Sequence, residues 1–223
     1  MNKFINLLLL FFGFPTMLFT IIVGFDLPLT FLNTSGAQME YRFEVFLSLG
    51  LILLVINLRR SVRRWMGMRL VNQVSKFKWN STMSKERVMR VNVYNLLEAL
   101  VMVSFGLGLY SVTTEAWMPL AALTFGAVDS IVFAIYGSSK NKFRYGLTSK
   151  ALILADRDVI VIYFNGLRKV SQQQQSIYFD FIKDLQLSFP IDCVKEEEQE
   201  LFFKTLKETL NPDKVYFSKK LAN

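Results

Sequence analysis

Four long apolar stretches crowd the first part of this chain, and a more polar segment follows them. A bilayer core about 30 Å thick asks for roughly 20 apolar residues in a helix. Residues 4–25, 43–58, 91–112 and 117–136 read as four such spans. The expected fold is therefore an α-helical membrane protein: a four-helix transmembrane bundle over residues 1–137, then a small cytoplasmic α+β domain over 138–223. The first run is too long for a signal-peptide core, and Ile22-Val23-Gly24-Phe25 ahead of Asp26 offers no small-x-small cleavage site. Pro15 falls mid-span, where it removes a backbone donor and predicts a kink. Trp117 and Tyr136 bracket the fourth span as interfacial aromatics do.

Charge sets the direction. The connection 59–90 carries Arg59, Arg60, Arg63, Arg64, Arg69, Lys76, Lys78, Lys85, Arg87 and Arg90 against Glu86 alone. The connections 26–41 and 113–116 hold acids and neither Lys nor Arg. Lys140, Lys142 and Arg144 follow the fourth span. The positive-inside rule then puts both termini in the cytoplasm and the two acidic connections outside.

Within the basic connection, Val62, Trp65, Met66, Leu70, Val74 and Phe77 recur at three- and four-residue steps, one face of a helix. Arg59, Arg60, Arg63, Arg64, Arg69, Lys76 and Lys78 are the candidate contacts to anionic lipid or a partner. Two arrangements suit this segment: a helix lying on the membrane, or a continuation of the second span. Nucleic acid is the weakest reading, because the charges follow the membrane rule and no DNA- or RNA-binding motif accompanies them.

Inside the spans, Glu98 and Asp129 fall at similar depth, on the order of 10 Å below the cytoplasmic surface at 1.5 Å per residue. Asn57, Asn92 and Asn95 are candidates for the same layer. Intramembrane carboxylates are costly and mark sites. Two outcomes follow. Glu98 and Asp129 share a proton or cation, or each serves as helix-joining glue, paired with Arg59 or Arg60 or hydrogen-bonded. Ser104 and Gly108, with Gly126 and Ser130, are the small residues expected where the third and fourth helices approach.

Beyond residue 143 the period changes. Ala151–Leu154 and Val159–Phe164 are strand-length apolar runs with Asp156-Arg157-Asp158 as the turn between them. Asn165-Gly166 is a second turn. Ser176–Phe181 and Leu185–Phe189 alternate, with Lys183-Asp184 between them. Gln172–Gln175 reads as a solvated strand edge or loop. The last element predicted is a helix capped by Asp192, acidic at Glu196-Glu197-Glu198, apolar at Leu201, Phe202, Leu206 and Leu210, and ended by Asn211-Pro212.

The run Tyr145-Gly146-Leu147-Thr148, leading into Ala151-Leu152-Ile153-Leu154, resembles the opening of bacterial PH-like domains of the YcxB-like group. Phe181-Ile182-Lys183-Asp184-Leu185 resembles a later segment of that group, and the Glu-rich terminal helix and preceding membrane hairpin suit it as well. The resemblance covers residues 143–210. It implies a PH-like fold, a cytoplasmic binding module and a bacterial inner-membrane setting, with no activity attached. Four spans, where two accompany that group, leave the first two without a counterpart.

The chain has no histidine and one cysteine, Cys193, which removes imidazole-based triads, haem ligation by histidine, the usual zinc sets and any internal disulfide. No cofactor or metal site is expected, and phosphate-binding glycine loops are absent from the sequence. The leading expectation is a non-enzymatic membrane adaptor or regulator whose C-terminal domain binds a protein partner or lipid headgroups. The alternative is a small channel, transporter or membrane-perturbing effector, homo-oligomeric, using Glu98 and Asp129.

Overall fold

A helix buried in hydrocarbon must satisfy its own backbone polar groups, so apolar runs of spanning length become long helices. In the computed structural model, which describes residues 2–182, 185–210 and 215–218, the helices are α1 (Asn2–Gly24), α2 (Arg42–Val71), α3 (Lys85–Val112) and α4 (Trp117–Ser139), with α5 (Gln199–Thr209) near the C-terminus. The strands are β1 (Pro28–Leu29), β2 (Thr34–Ser35), β3 (Trp79–Thr82), β4 (Arg144–Leu147), β5 (Ala151–Ala155), β6 (Val159–Tyr163), β7 (Leu167–Gln173), β8 (Ser176–Phe181), β9 (Gln186–Pro190) and β10 (Tyr216–Phe217). Four of the helices are long and apolar enough to cross a membrane. Their outward side chains suit lipid: Leu10 is 71% exposed and Val55 62%.

The elements gather into two compact units, residues 1–63 with 93–135 and residues 64–92 with 136–223. The segment 64–92, expected as a loop of the helical bundle, gathers with the C-terminal residues.

In the first unit the core is Val23, Phe46, Ala99, Met102, Leu109, Leu123 and Ala127, with the Phe19 and Phe46 rings 4.9 Å apart. α1 continues through Pro15. Close approach of α2 and α4 depends on glycine. A Cβ on Gly126 would stand 2.8 Å from Asn57 Oδ1, and one on Gly50 would strike Met118. Gly108, expected at the α3–α4 contact, faces open space; Gly106 takes that role, its face against Leu120. Outside the spans, Arg42 donates to Glu115 Oε1 at 2.7 Å, and Asp26 Oδ1 accepts the Ala37 N–H at 2.8 Å.

The second unit holds two four-stranded sheets, in the orders β3-β4-β5-β6 and β10-β7-β8-β9. β3 pairs antiparallel with β4, Trp79 opposite Leu147 and Thr82 opposite Arg144, although all of α3 and α4 lies between them in the chain. β5 is buried along its whole length. Ala151, Ile153 and Ala155 pack against Val71 at the end of α2, with Phe77, Val159 and Val161 alongside. A strand covered on both faces reads as an unbroken apolar run, as Ala151–Leu154 does. Gly67 of α2 lies so close to Val159 that any Cβ would collide with it. α5 supplies Phe202, whose ring lies 5.4 Å from Trp79 and 5.6 Å from Phe189 and so bridges the two sheets.

Of the two arrangements weighed for the basic connection, the continuation of the second span is the one found: α2 runs on to Val71, a 3₁₀ turn covers Val74–Lys76, and β3 follows. Two further expectations change. Asp192 does not cap α5. It sits in the turn Ile191–Cys193, and α5 begins at Gln199 with no side-chain cap. The last described element is β10, parallel to β7, rather than the helix. Gln172 and Gln173 lie within β7, paired with Ile177 and Ser176 of β8. Lys183-Asp184 and Asn211-Pro212 lie outside the described residues.

Candidate functional site

The polar residues of the long apolar helices converge on α2. Arg60 and Ser61 are consecutive, so their side chains leave the helix about 100° apart. Arg60 reaches α3, where both of its terminal nitrogens engage the two oxygens of Glu98 as a fork. Ser61 reaches α4, donating to Asp129 Oδ1 at 2.8 Å. One turn before them, Asn57 donates to the Ala122 carbonyl at 3.2 Å, beneath Gly126. Asn95 is buried in this unit. Asn92 is not part of the layer: it belongs to the second unit and donates to Ser138 Oγ.

Of the two arrangements weighed from sequence, the Arg60 pairing is the one found for Glu98. A bidentate Arg–carboxylate pair is a strong, geometrically specific interaction. Both side chains are largely enclosed, 11% and 18% exposed, so each charge offsets the desolvation the other would otherwise suffer alone. Chemically the layer keys α2 to α3 by an ion pair and to α4 by hydrogen bonds.

The basic residues divide. Arg59, Arg69, Lys76 and Lys78 are exposed, and Arg63 is half-buried. Arg60 is committed to Glu98. Arg64, expected at the surface, is instead buried, at 2% exposure, and is withdrawn from lipid or partner contact. Val62, Met66 and Leu70 are exposed on α2, as is Val74 in the turn that follows. Trp65 and Phe77, expected on one face with them, are packed: Trp65 on Tyr136 at 5.5 Å and Phe77 on the β5 side.

A charge cluster unseen in the sequence lies in the second unit. Ser84 caps α3, its Oγ accepting the Arg87 N–H at 3.1 Å, and donates that hydroxyl to the Asp192 carbonyl. Arg87 donates through Nε at 3.1 Å and Nη2 at 2.5 Å to Asp156 Oδ2, in the β5–β6 turn. Asp192 lies 3.5 Å from Arg87 and accepts from Arg90 at 2.6 Å. A cation in the first turn of a helix opposes the helix dipole. Arg87 stands there because Asp156 and Asp192 neutralise it, and that misfit was the one available sequence signal.

Cys193 borders this cluster and is fully buried. Burial pushes its thiol well above the ordinary range, with Asp156 and Asp192 adding to the effect. The thiolate is the reactive form. A maleimide at neutral pH is therefore expected to leave the native protein unmodified and to label it stoichiometrically in denaturant; rapid native labelling contradicts the packing described.

Compared with protein-family models, with curated proteins and with solved structures, the chain matches none of them.

Proposed function

We propose that this chain is a non-enzymatic, membrane-integral adaptor or regulator, and that its second unit is a PH-like cytoplasmic module held against an anionic membrane surface. The supporting elements are those that the YcxB-like resemblance calls for. The Tyr145-Gly146-Leu147 stretch forms β4, the following apolar run forms β5, the hairpin α3–α4 precedes them, and α5 closes the unit. The basic charge surrounding β3 argues for a cytoplasmic side.

The observation that carries the reading is the mixed character of one segment. In the second unit, exposed Met66, Leu70 and Val74 share the segment 66–78 with exposed Arg69, Lys76 and Lys78. Apolar side chains interspersed with cations are what an anionic bilayer surface attracts, at about 1 kcal/mol per Lys or Arg. The pore reading has less support, because Glu98 is already engaged by Arg60 rather than left to line a path.

Lipid retention tests the proposal. Full-length protein extracted from nanodiscs of equal phosphatidylcholine and phosphatidylglycerol should retain phosphatidylglycerol several-fold over its bulk share. Replacing Arg69, Lys76 and Lys78 together by Gln should abolish the enrichment without unfolding the protein. Equal retention of both lipids by the wild type would falsify the reading.

A further inference from the structure

The first unit contains a cavity of about 480 Å³ that the adaptor reading does not use. Gly13 of α1, Leu53 of α2, Phe105 of α3 and Leu123 of α4 form its walls, and Glu98 is the one ionisable lining residue among the described residues. The volume is that of a small-molecule site, and the apolar lining with a single placed polar group is the composition such sites have. Water fits it poorly, since a buried water needs two to four polar partners. The rim includes Leu10 and Val101, 71% and 63% exposed, so the cavity opens on the lateral surface of the helices rather than along their axis. Gly13 faces the open space: a Cβ there would meet only Phe105, at an ordinary contact distance of 3.7 Å.

We infer that this cavity binds a single-chain neutral lipid, its hydrocarbon chain along Gly13 and Phe105 and a hydroxyl donated to Glu98. The chemistry of Glu98 selects that head group. A carboxylate offers about four acceptor positions, and the Arg60 fork uses two of them, one on each oxygen. The pair with Arg60 balances the charge, so a cationic head is not required, while a hydroxyl meets the remaining acceptors. The lateral opening lets such a molecule enter from the bilayer. The inference rests on the four helices spanning a membrane, and is independent of the anionic-surface contact proposed above.

The probe is hexadecanol carrying a mid-chain diazirine, photolysed with the full-length protein in phosphatidylcholine nanodiscs, with adducts mapped by peptide. Adducts should concentrate on residues 9–17 and 98–105. Unlabelled hexadecanol should displace them and hexadecane should not. Gly13→Phe, which fills the cavity, should lower them at least about fivefold, while adducts at the exposed Leu107 and Val132 stay unchanged. If Gly13→Phe is not recovered as a monodisperse particle, Leu53→Phe fills the site from the opposite wall and carries the same expectation. Even labelling along the exposed helix faces, or labelling indifferent to both variants, overturns the site. Competition by hexadecane as strong as by hexadecanol overturns the role of Glu98. A diazirine phosphatidylcholine that marks the same peptides, undisturbed by hexadecanol, makes the occupant a chain of bulk lipid and overturns the single-chain assignment. Recovery of the chain as a detergent-free soluble particle removes the membrane premise instead, and is read separately from these outcomes.

Discussion

Replacing Arg87 by Ala should cost the second unit about 3–5 kcal/mol, the range for removing one partner of a buried ion pair. The guanidinium is the hub of a cluster whose carboxylates have little access to water. Asp156 is 4% exposed and Asp192 14%. With the arginine gone, Asp156 keeps only the Asp158 N–H on its other oxygen among the contacts described, at 3.2 Å, and its charge is left uncompensated. Arg87→Lys should recover part of the loss, because one ammonium cannot reproduce the two-nitrogen grip on Asp156. Combining Arg87→Met with Asp156→Asn should be milder than Arg87→Ala, since no isolated charge then remains. Thermal unfolding of the detergent-solubilised protein, followed by maleimide capture of Cys193, reads all of these variants. Wild-type stability for Arg87→Ala would show that the cluster has no energetic part in the fold.

The second large effect is expected within the long apolar helices. Glu98→Leu strands Arg60 and Arg60→Leu strands Glu98, each at about 3 kcal/mol, the cost of a lone charge in a membrane helix, on the membrane setting proposed above. The double change Arg60→Leu with Glu98→Leu should recover most of that loss, because two charges that need each other leave together. Exchanging them, Arg60→Glu with Glu98→Arg, should also stabilise relative to either single variant. Ser61→Ala, which removes one hydrogen bond to Asp129, should cost about 0.6–2 kcal/mol, the scale for polar contacts between membrane helices. Unfolding in graded detergent measures the whole cycle. Single and double variants that add as independent changes would contradict the pair.

The four long helices were legible because each apolar run is close to bilayer length, and β5, β6, β8 and β9 because their runs alternate or stay apolar over strand length. Helix ends were less legible. Continuation of α2 past Arg59 and Arg60 was one of two arrangements open in the sequence; what decides it, the packing of Gly67 and Val71 on β5 and β6, no local pattern announces. β3 was missed for a similar reason. Trp79-Asn80-Ser81-Thr82 is short and polar, and it is a strand because β4 supplies its partner from beyond the helical hairpin. Gln172–Gln175 read as a solvated strand edge or loop, and Gln172 and Gln173 do end β7, paired with β8, before the exposed turn at 174–175.

At the candidate sites the residue types were legible and the partners only in part. Glu98 and Asp129 stood out as carboxylates in apolar helices, and Arg60 was among the partners considered for them. Ser61 was not, because a serine in a helix carries no signal of what it faces. Arg87, Asp156 and Asp192 were read separately, as a topology charge, a turn and a cap. Their meeting depends on the contact between the start of α3 and two distant turns, which only the tertiary fold creates.

The central claim is that one β-rich unit is assembled from chain on both sides of the α3–α4 hairpin, which requires residues 79–82 and 144–147 to share one side of the membrane. Thr82→Cys with Arg144→Cys, in a Cys193→Ser background, tests it by oxidation of the full-length protein in native membranes. Opposed strand residues lie near the roughly 5.5–6 Å Cα separation that a disulfide favours. A rapid intramolecular disulfide, specific to this pair and absent when Arg144→Cys is replaced by Lys150→Cys, is the expected result. No bond, or equal bonding at both pairs, would contradict the shared sheet and the topology with it.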